Sequence, residues 1–167
     1  MNTLVIGYGA VGSRHARILK ELGCRTSIVS NRDVEFKPSY KTIREALLNE
    51  KPDYAIVANK TAEHYETLEQ LKNLGFKGVV LLEKPLFVRY QQFRENGFDK
   101  LLVAYNLRFR PLLRRLKELL VDEKLISVQC YVGQYLPEWR PATDYRIGYS
   151  ASRNLGGGAL RDLSHEL

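Results

Sequence analysis

Six residues near the amino terminus, Gly7-Tyr-Gly9-Ala-Val-Gly12, constrain the fold more than any other feature of the chain. They directly follow the apolar run Thr3-Leu-Val-Ile6 and open a segment, residues 10–22, in which Val11, Ile18, Leu19 and Leu22 recur at helical spacing. Strand, tight turn and helix in that order are the context a G-x-G-x-x-G dinucleotide fingerprint requires. In that context Gly7 permits the tight turn, Gly9 lets a pyrophosphate approach the backbone, and Gly12 allows close helix–strand packing. The N–H groups of Ala10 and Val11 stand at the positive end of the helix. A turn cluster with no ligand is the competing reading, and the strand–turn–helix setting argues against it.

The pattern then repeats. Residues 26–30 read as a second short strand, Thr42-Ile-Arg-Glu45 as a capping box opening a helix through Ala46 and Leu47, and Asp53-Tyr-Ala-Ile-Val-Ala58 as a third, buried strand. A helix starting at Thr61 carries Tyr65, Leu68 and Leu71. Gly75 and Gly78 bracket the turn into a fourth strand, Val79–Leu82, and a short helical stretch over residues 88–95 precedes a fifth over 101–105. Strands and helices alternating at this spacing imply βαβ units. The fold class is therefore α/β, a Rossmann-type doubly wound parallel sheet covered on both faces.

Pro111 suits the first turn of another helix, with Leu112, Leu113, Leu116, Leu119 and Leu120 on one stripe. The period next changes to two: Ile126, Val128, Cys130 and Val132 alternate with Ser127, Gln129, Tyr131 and Gly133, which predicts a strand with one wetter face. This change sets a boundary near residues 120–124, with a dinucleotide-binding domain over 1–120 and the start of a truncated α/β domain over 121–167. Residues 136–155 form a long polar and aromatic connection of the kind that carries function.

The residue that reads the adenosine ribose stands about 20 positions after the glycines, where an acid favours NAD and an Arg accommodates the extra phosphate of NADP. Ser30, Asn31 and Arg32 occupy that place, with the first acid at Asp33. A hydroxyl, an amide and a guanidinium can donate to a phosphate that a carboxylate would repel, so NADP is preferred; Asp33 on a ribose keeps NAD open. Lys84, in Glu83-Lys84-Pro85, ends the fourth strand at the carboxyl edge where such folds bind ligands. On the tripeptide alone, an ordinary solvated Lys competes equally. Asp162 and His165 follow Gly156-Gly-Gly158 and, three apart, share one face of a helix. A carboxylate can orient the imidazole and raise its basicity, as a general base requires, although an isolated pair of this kind is more often a chance one.

Together these signals resemble the glucose-fructose oxidoreductase / inositol dehydrogenase (Gfo/Idh/MocA) family. The resemblance runs over residues 1–167 and includes the run ending at Ala58 with His64 after it, Glu83-Lys84-Pro85, Tyr105-Asn106-Leu-Arg108-Phe109-Arg-Pro111, and the Gly-rich stretch with Asp162 and His165. It implies a Rossmann domain followed by an open-faced α/β domain whose sheet mediates oligomers, with the active site between them. It implies that Lys84 sits beside nicotinamide and substrate, that His165 takes the hydroxyl proton, and that Asp162 orients His165 or binds sugar hydroxyls. His64 and Glu83 fall among the cofactor contacts, and Asn106 and Arg108 among the substrate contacts. The implied activity is NAD(P)-dependent oxidation of a sugar or nucleotide-sugar hydroxyl by hydride transfer, the cofactor's own chemistry. Tyr135-Leu-Pro-Glu-Trp139 and Asp144-Tyr-Arg146 are similar to members of nucleotide-sugar metabolism, and their aromatic and Arg residues suit a sugar with an anionic handle. Family members continue for about another 150 residues, an ordinary domain's worth, so this chain is expected to be truncated and impaired in turnover.

A net charge of +7 invites a nucleic-acid reading, but the basic excess is spread along the chain. The densest cluster, Arg108, Arg110, Arg114 and Arg115, is interleaved with apolar positions like the polar face of one helix, so no nucleic-acid partner is expected. The opening residues lack a basic n-region and a long apolar core, and no apolar run is long enough to span a bilayer; a cytoplasmic location and no membrane partner are expected. Cys24 and Cys130 lack metal-ligand spacing and read as small buried hydrophobes, with no metal site. The strand at 126–132 has few later strands to pair with, which points to a homo-oligomer through residues 125–135. Two other readings stand against the enzyme: a catalytically inactive dinucleotide-binding module acting as sensor or assembly partner, and a methyltransferase. The latter leaves Lys84, Asp162 and His165 unexplained.

Overall fold

The computed structural model describes residues 1–94, 97–139, 144–155 and 157–158. The chain divides into two units, Met1–Val103 and Ala104–Leu167, so the helix opened by Pro111 falls in the second.

The first unit is built on six strands: β1 (Asn2–Ile6), β2 (Arg25–Val29), β3 (Ser39–Tyr40), β4 (Tyr54–Val57), β5 (Val79–Leu82) and β6 (Lys100–Val103). Three helices connect them, α1 (Ala10–Glu21), α2 (Ile43–Glu50) and α3 (His64–Asn73). The strands lie in the order β3-β2-β1-β4-β5-β6 and every pairing is parallel, the order of a doubly wound dinucleotide-binding sheet. Parallel strands are covered on both faces and so tolerate near-continuous apolar runs. Leu4, Ile6, Val57, Val80 and Leu82 pack on one face with Ile43 and Ala46 of α2 and Leu68 and Leu71 of α3. Val5, Ile28 and Ile56 pack on the other with Ala16 and Leu19 of α1. Truncating a fully buried member such as Leu4 or Leu68 to Ala costs about 2–5 kcal/mol.

Local signals set the element ends. The expected capping box forms: the Glu45 N–H donates to Thr42 Oγ1 at 3.2 Å, and the Thr42 N–H donates to the Glu45 carboxylate at 3.1 Å. A single 3-10 turn, Thr61–Glu63, precedes α3. One element is added to the expected set and one expectation is corrected. The edge strand β3 is an addition, too short to show a period. Residues 88–94 are not helical; Phe87, Phe93 and Phe98 instead anchor the segment through ring contacts that include Tyr65, and this packing sets its path.

In the second unit a 3-10 turn, Asn106–Phe109, leads into α4 (Pro111–Leu119), which has Pro in its first turn as expected. A single-turn α5 (Leu136–Trp139) follows. The apolar stripe of α4 is open, with Leu112, Leu116 and Leu119 exposed. Residues 126–132, where alternation predicts a strand, have no regular secondary structure, and Ile126 is 99% exposed. Strand geometry is held by a neighbouring backbone, and among the described residues no segment pairs with this one. Cys130 is exposed and Cys24 half-buried, rather than both being core residues. Among the described residues no helix is long and apolar enough to cross a membrane.

Candidate dinucleotide site

In a sheet of this order the chain turns one way from β1 to β2 and the other way to β4, which opens a crevice beyond the carboxyl ends of β1 and β4. Three main-chain bonds lock the strand exits there. The Gly7 N–H donates to Val29 O at 2.9 Å, the Ala58 N–H to Ile6 O at 2.8 Å, and the Glu83 N–H to Val57 O at 2.9 Å.

The three glycines have different neighbours. Gly7 has φ +93°, and a Cβ there would stand 2.5 Å from the Asn59 nitrogen. A Cβ on Gly12 would overlap the Gly7 carbonyl oxygen. On Gly9 a Cβ would meet only Arg32 Nη2, at 3.9 Å. Gly9 is also the N-cap of α1, so no side chain caps this helix, and its first turn holds no acid. The N–H groups around Ala10 and Val11 are thus left for an anion at the positive end of the helix, beside a backbone a ligand can approach. Asn59, whose backbone abuts Gly7, carries a polar atom unpaired among the described residues. Asn59 Nδ2 donates to Thr67 Oγ1 at 2.8 Å, while Asn59 Oδ1 is buried without a partner among the described residues. These features fit a dinucleotide.

At the end of β2, Ser30 is buried and its Oγ accepts from the Arg32 N–H at 3.2 Å. The Arg32 guanidinium donates to Tyr8 O at 2.7 Å, which lays its charge beside the glycine turn. Lys41 Nζ donates to Asp33 Oδ1 at 2.7 Å and to Asn31 O at 3.4 Å. The Lys41 hydrogen bond and charge hold the Asp33 carboxyl below its usual range.

His64, at the start of α3, is 1% exposed. Its Nδ1 lies 3.1 Å from Leu86 O and its Nε2 3.3 Å from Asn59 O, so the ring bridges the loop after β4 to the loop carrying Lys84. Burial pushes its pKa down against the opposing effect of these carbonyls, that of Pro85, and the Glu83 carboxylate. Glu83 Oε1 lies 2.6 Å from His15 Nε2, and its Oε2 accepts from the Lys84 N–H at 3.3 Å.

One sheet edge therefore gathers Gly7, Gly9, Ala10, Val11, Gly12, Ser30, Asn31, Arg32, His64, Glu83 and Lys84. Asn106 and Arg108 lie in the 3-10 turn of the second unit, and Asp162 and His165 lie outside the described residues. Two further candidate site residues escape a reading of the sequence, His15 and Asn59. The available signal for His15 is a polar residue three after Gly12 on the stripe that carries Ala16 and Leu19. A groove of about 510 Å³ lies at the opposite, amino-terminal edge, lined by Arg44, Lys51, Asp53, Phe76, Lys77 and Asp99 among others. Its size does not make it the site, since the open helix terminus and the switch point are both at the carboxyl edge.

Residues 1–97 match the model of the GFO_IDH_MocA oxidoreductase family, NAD-binding Rossmann fold. A Bacillus subtilis (strain 168) protein, YteT, named as an oxidoreductase, is 28% identical over 115 residues, which are 65% of this chain and 26% of that protein. GenD2 from gentamicin A biosynthesis, solved in complex with NAD, superposes with a TM-score of 0.59 at 25% identity over 73% of this chain and 39% of its own. Apo scyllo-inositol dehydrogenase from Lactobacillus casei shares the fold with a TM-score of 0.61 at 18% identity, over 73% of this chain and 41% of its own. WlbA from Thermus thermophilus, solved with NAD and UDP-GlcNAcA, does so with a TM-score of 0.59 at 22% identity, over 74% of this chain and 48% of its own. The chain spans less than half the length of each of these relatives. With its family match covering residues 1–97, more than half of its length, the chain belongs to the Gfo/Idh/MocA family of oxidoreductases with an NAD-binding Rossmann fold.

Proposed function

We propose that this chain is the dinucleotide-binding part of an NAD(P)-dependent oxidoreductase acting on a hydroxyl of a sugar or nucleotide sugar. The observation that carries the reading is the uncapped, acid-free start of α1 at Gly9, open at the switch point of the sheet, with Lys84 at the exit of β5. GenD2, solved with NAD, supports a dinucleotide there. NADP is the preferred form. Arg32 lies beside the glycine turn, and Lys41 occupies Asp33, the acid best placed to bind a ribose.

When bound, the nicotinamide ring supplies the hydride acceptor. The chain's own residues bind and orient. The first turn of α1 would hold the pyrophosphate, and Lys84, by the family resemblance, would sit beside the nicotinamide and the substrate. His165 takes the hydroxyl proton, Asp162 orients His165 or binds sugar hydroxyls, and Asn106 and Arg108 contact the substrate; these roles too rest on the family resemblance. Positioning by a second domain contributes several kcal/mol of barrier lowering, so turnover by these 167 residues alone is expected to be weak.

The test is turnover in a protein extended to the length of the relatives, supplied with NADP+ and a panel of nucleotide sugars. Lys84→Ala or His165→Ala should lower kcat by about a hundredfold or more while cofactor Kd changes less than about threefold. Absence of turnover with every sugar would remove the sugar reading. Robust turnover by the 167-residue chain would remove the need for the remainder.

A further inference from the structure

The buried stripe of α1 runs through Gly12, Ala16 and Leu19, and His15 sits at its edge. A polar ring packed between a helix and a sheet needs a partner. That partner is Glu83, at 2.6 Å, with the two side chains only 23% and 14% exposed. The second oxygen of the same carboxylate accepts from the Lys84 N–H. One carboxylate thus holds both the helix whose first turn is open to an anion and the backbone of Lys84, which the proposed function puts beside the substrate. Helix α1 follows β1 and Glu83 follows β5, while β4 lies between those strands, so the pair bridges over an intervening strand. A hydrogen-bonded contact partly withdrawn from water is stronger than the same contact in water.

We propose that His15 is a positioning residue which, through Glu83, couples dinucleotide binding at the start of α1 to the placement of Lys84. The proposal rests on the dinucleotide reading of the site. Such coupling is reciprocal: a ligand on α1 tightens the hold on Lys84, and loss of that hold weakens the ligand. Breaking a pair that served stability alone would lower the melting temperature without affecting a link between the two places.

The test uses the whole 167-residue chain and reads amide hydrogen exchange over residues 83–86 together with the Kd for NADP+. In the wild type, NADP+ slows exchange at Lys84. His15→Leu speeds that exchange in the free chain, abolishes the slowing by NADP+, and raises Kd about fivefold to tenfold. His15→Gln, which keeps a donor on the ring's side of Glu83, recovers most of both effects. Glu83→Gln added to His15→Leu gives less than the sum of the single losses. An unchanged Kd and unchanged exchange in His15→Leu overturns the proposal, as does a lower melting temperature with the NADP+ response intact. If His15→Leu fails to fold, His15→Gln and Glu83→Gln decide by the same readings: loss of the NADP+ response in Glu83→Gln and its retention in His15→Gln support coupling, and an intact response in Glu83→Gln overturns it. If the wild type binds neither NADP+ nor NAD+, the dinucleotide reading fails and the proposal with it, whereas binding without any response at Lys84 defeats the proposal alone.

Discussion

Gly12 stands so close to Gly7 that a Cβ on the first would overlap the carbonyl oxygen of the second. This contact presses the first turn of α1 onto the exit of β1 and leaves Gly9 between them with open space beside it. Two glycines therefore serve the backbone's own packing, and the third leaves room for the proposed dinucleotide to approach.

Substitution should separate those roles. Gly12→Ala is expected to destabilise the fold by about 1–3 kcal/mol, as overpacking does, and to lower the melting temperature by several degrees. Gly9→Ala should melt close to the wild type yet bind dinucleotide at least about tenfold more weakly, because the methyl occupies the face a pyrophosphate must approach. Calorimetric melting with a parallel NADP+ titration checks both. A Gly9→Ala chain that binds normally would contradict the assignment.

In the proposed reading, Arg32 and Lys41 set the cofactor preference. Arg32→Glu replaces a donor beside the glycine turn with a charge that repels phosphate, so NADP+ affinity should fall by about tenfold to a hundredfold. NAD+ affinity should change much less. Lys41→Ala releases Asp33 and should move the preference toward NAD+. Equal losses for the two dinucleotides in Arg32→Glu would argue against the NADP preference.

His64 makes stability depend on pH. Burial keeps its ring from taking up a proton until the pH is below the ordinary imidazole range, while the unfolded chain takes one up near about pH 6.5. Below that pH the unfolded state binds more protons. The contribution is therefore complete above about pH 6.5 and is lost as pH falls toward the lowered folded-state pKa, by at most about 1.4 kcal/mol per pH unit. Urea unfolding of wild type and His64→Gln through this window is the check. The difference between the two slopes isolates His64, and identical slopes would contradict the account.

Residues 125–135 are expected to make the chain self-associate. Ile126 and Val128 are exposed without a sheet to lie on, and burying apolar area is worth roughly 25 cal/mol per Å². Light scattering over a concentration series should show mass rising for the wild type and much less for Val128→Lys. A wild type that remains monomeric at high concentration would count against the expectation.

What the sequence disclosed and what it withheld divide by range. The Gly7–Gly12 turn and the Thr42–Glu45 box are decided within a few residues, and both are present as read. The alternation from Ile126 to Val132 is just as clear as a pattern, but a strand also needs a partner backbone, which no local pattern supplies. Ser39 and Tyr40 become a strand only because Ile28 and Val29 lie beside them. The His15–Glu83 pair joins residues 68 apart, and nothing near either one foretells the other. Asp162 and His165 rest on the family resemblance, being outside the described residues.

The most direct measurement is a calorimetric titration of the folded 167-residue chain with NADP+ and with NAD+. Saturable one-site binding, tighter for NADP+ and lost in Gly9→Val, is the predicted result. A folded chain that gives no saturable heat with either dinucleotide would contradict the assignment of this sheet edge as a cofactor site.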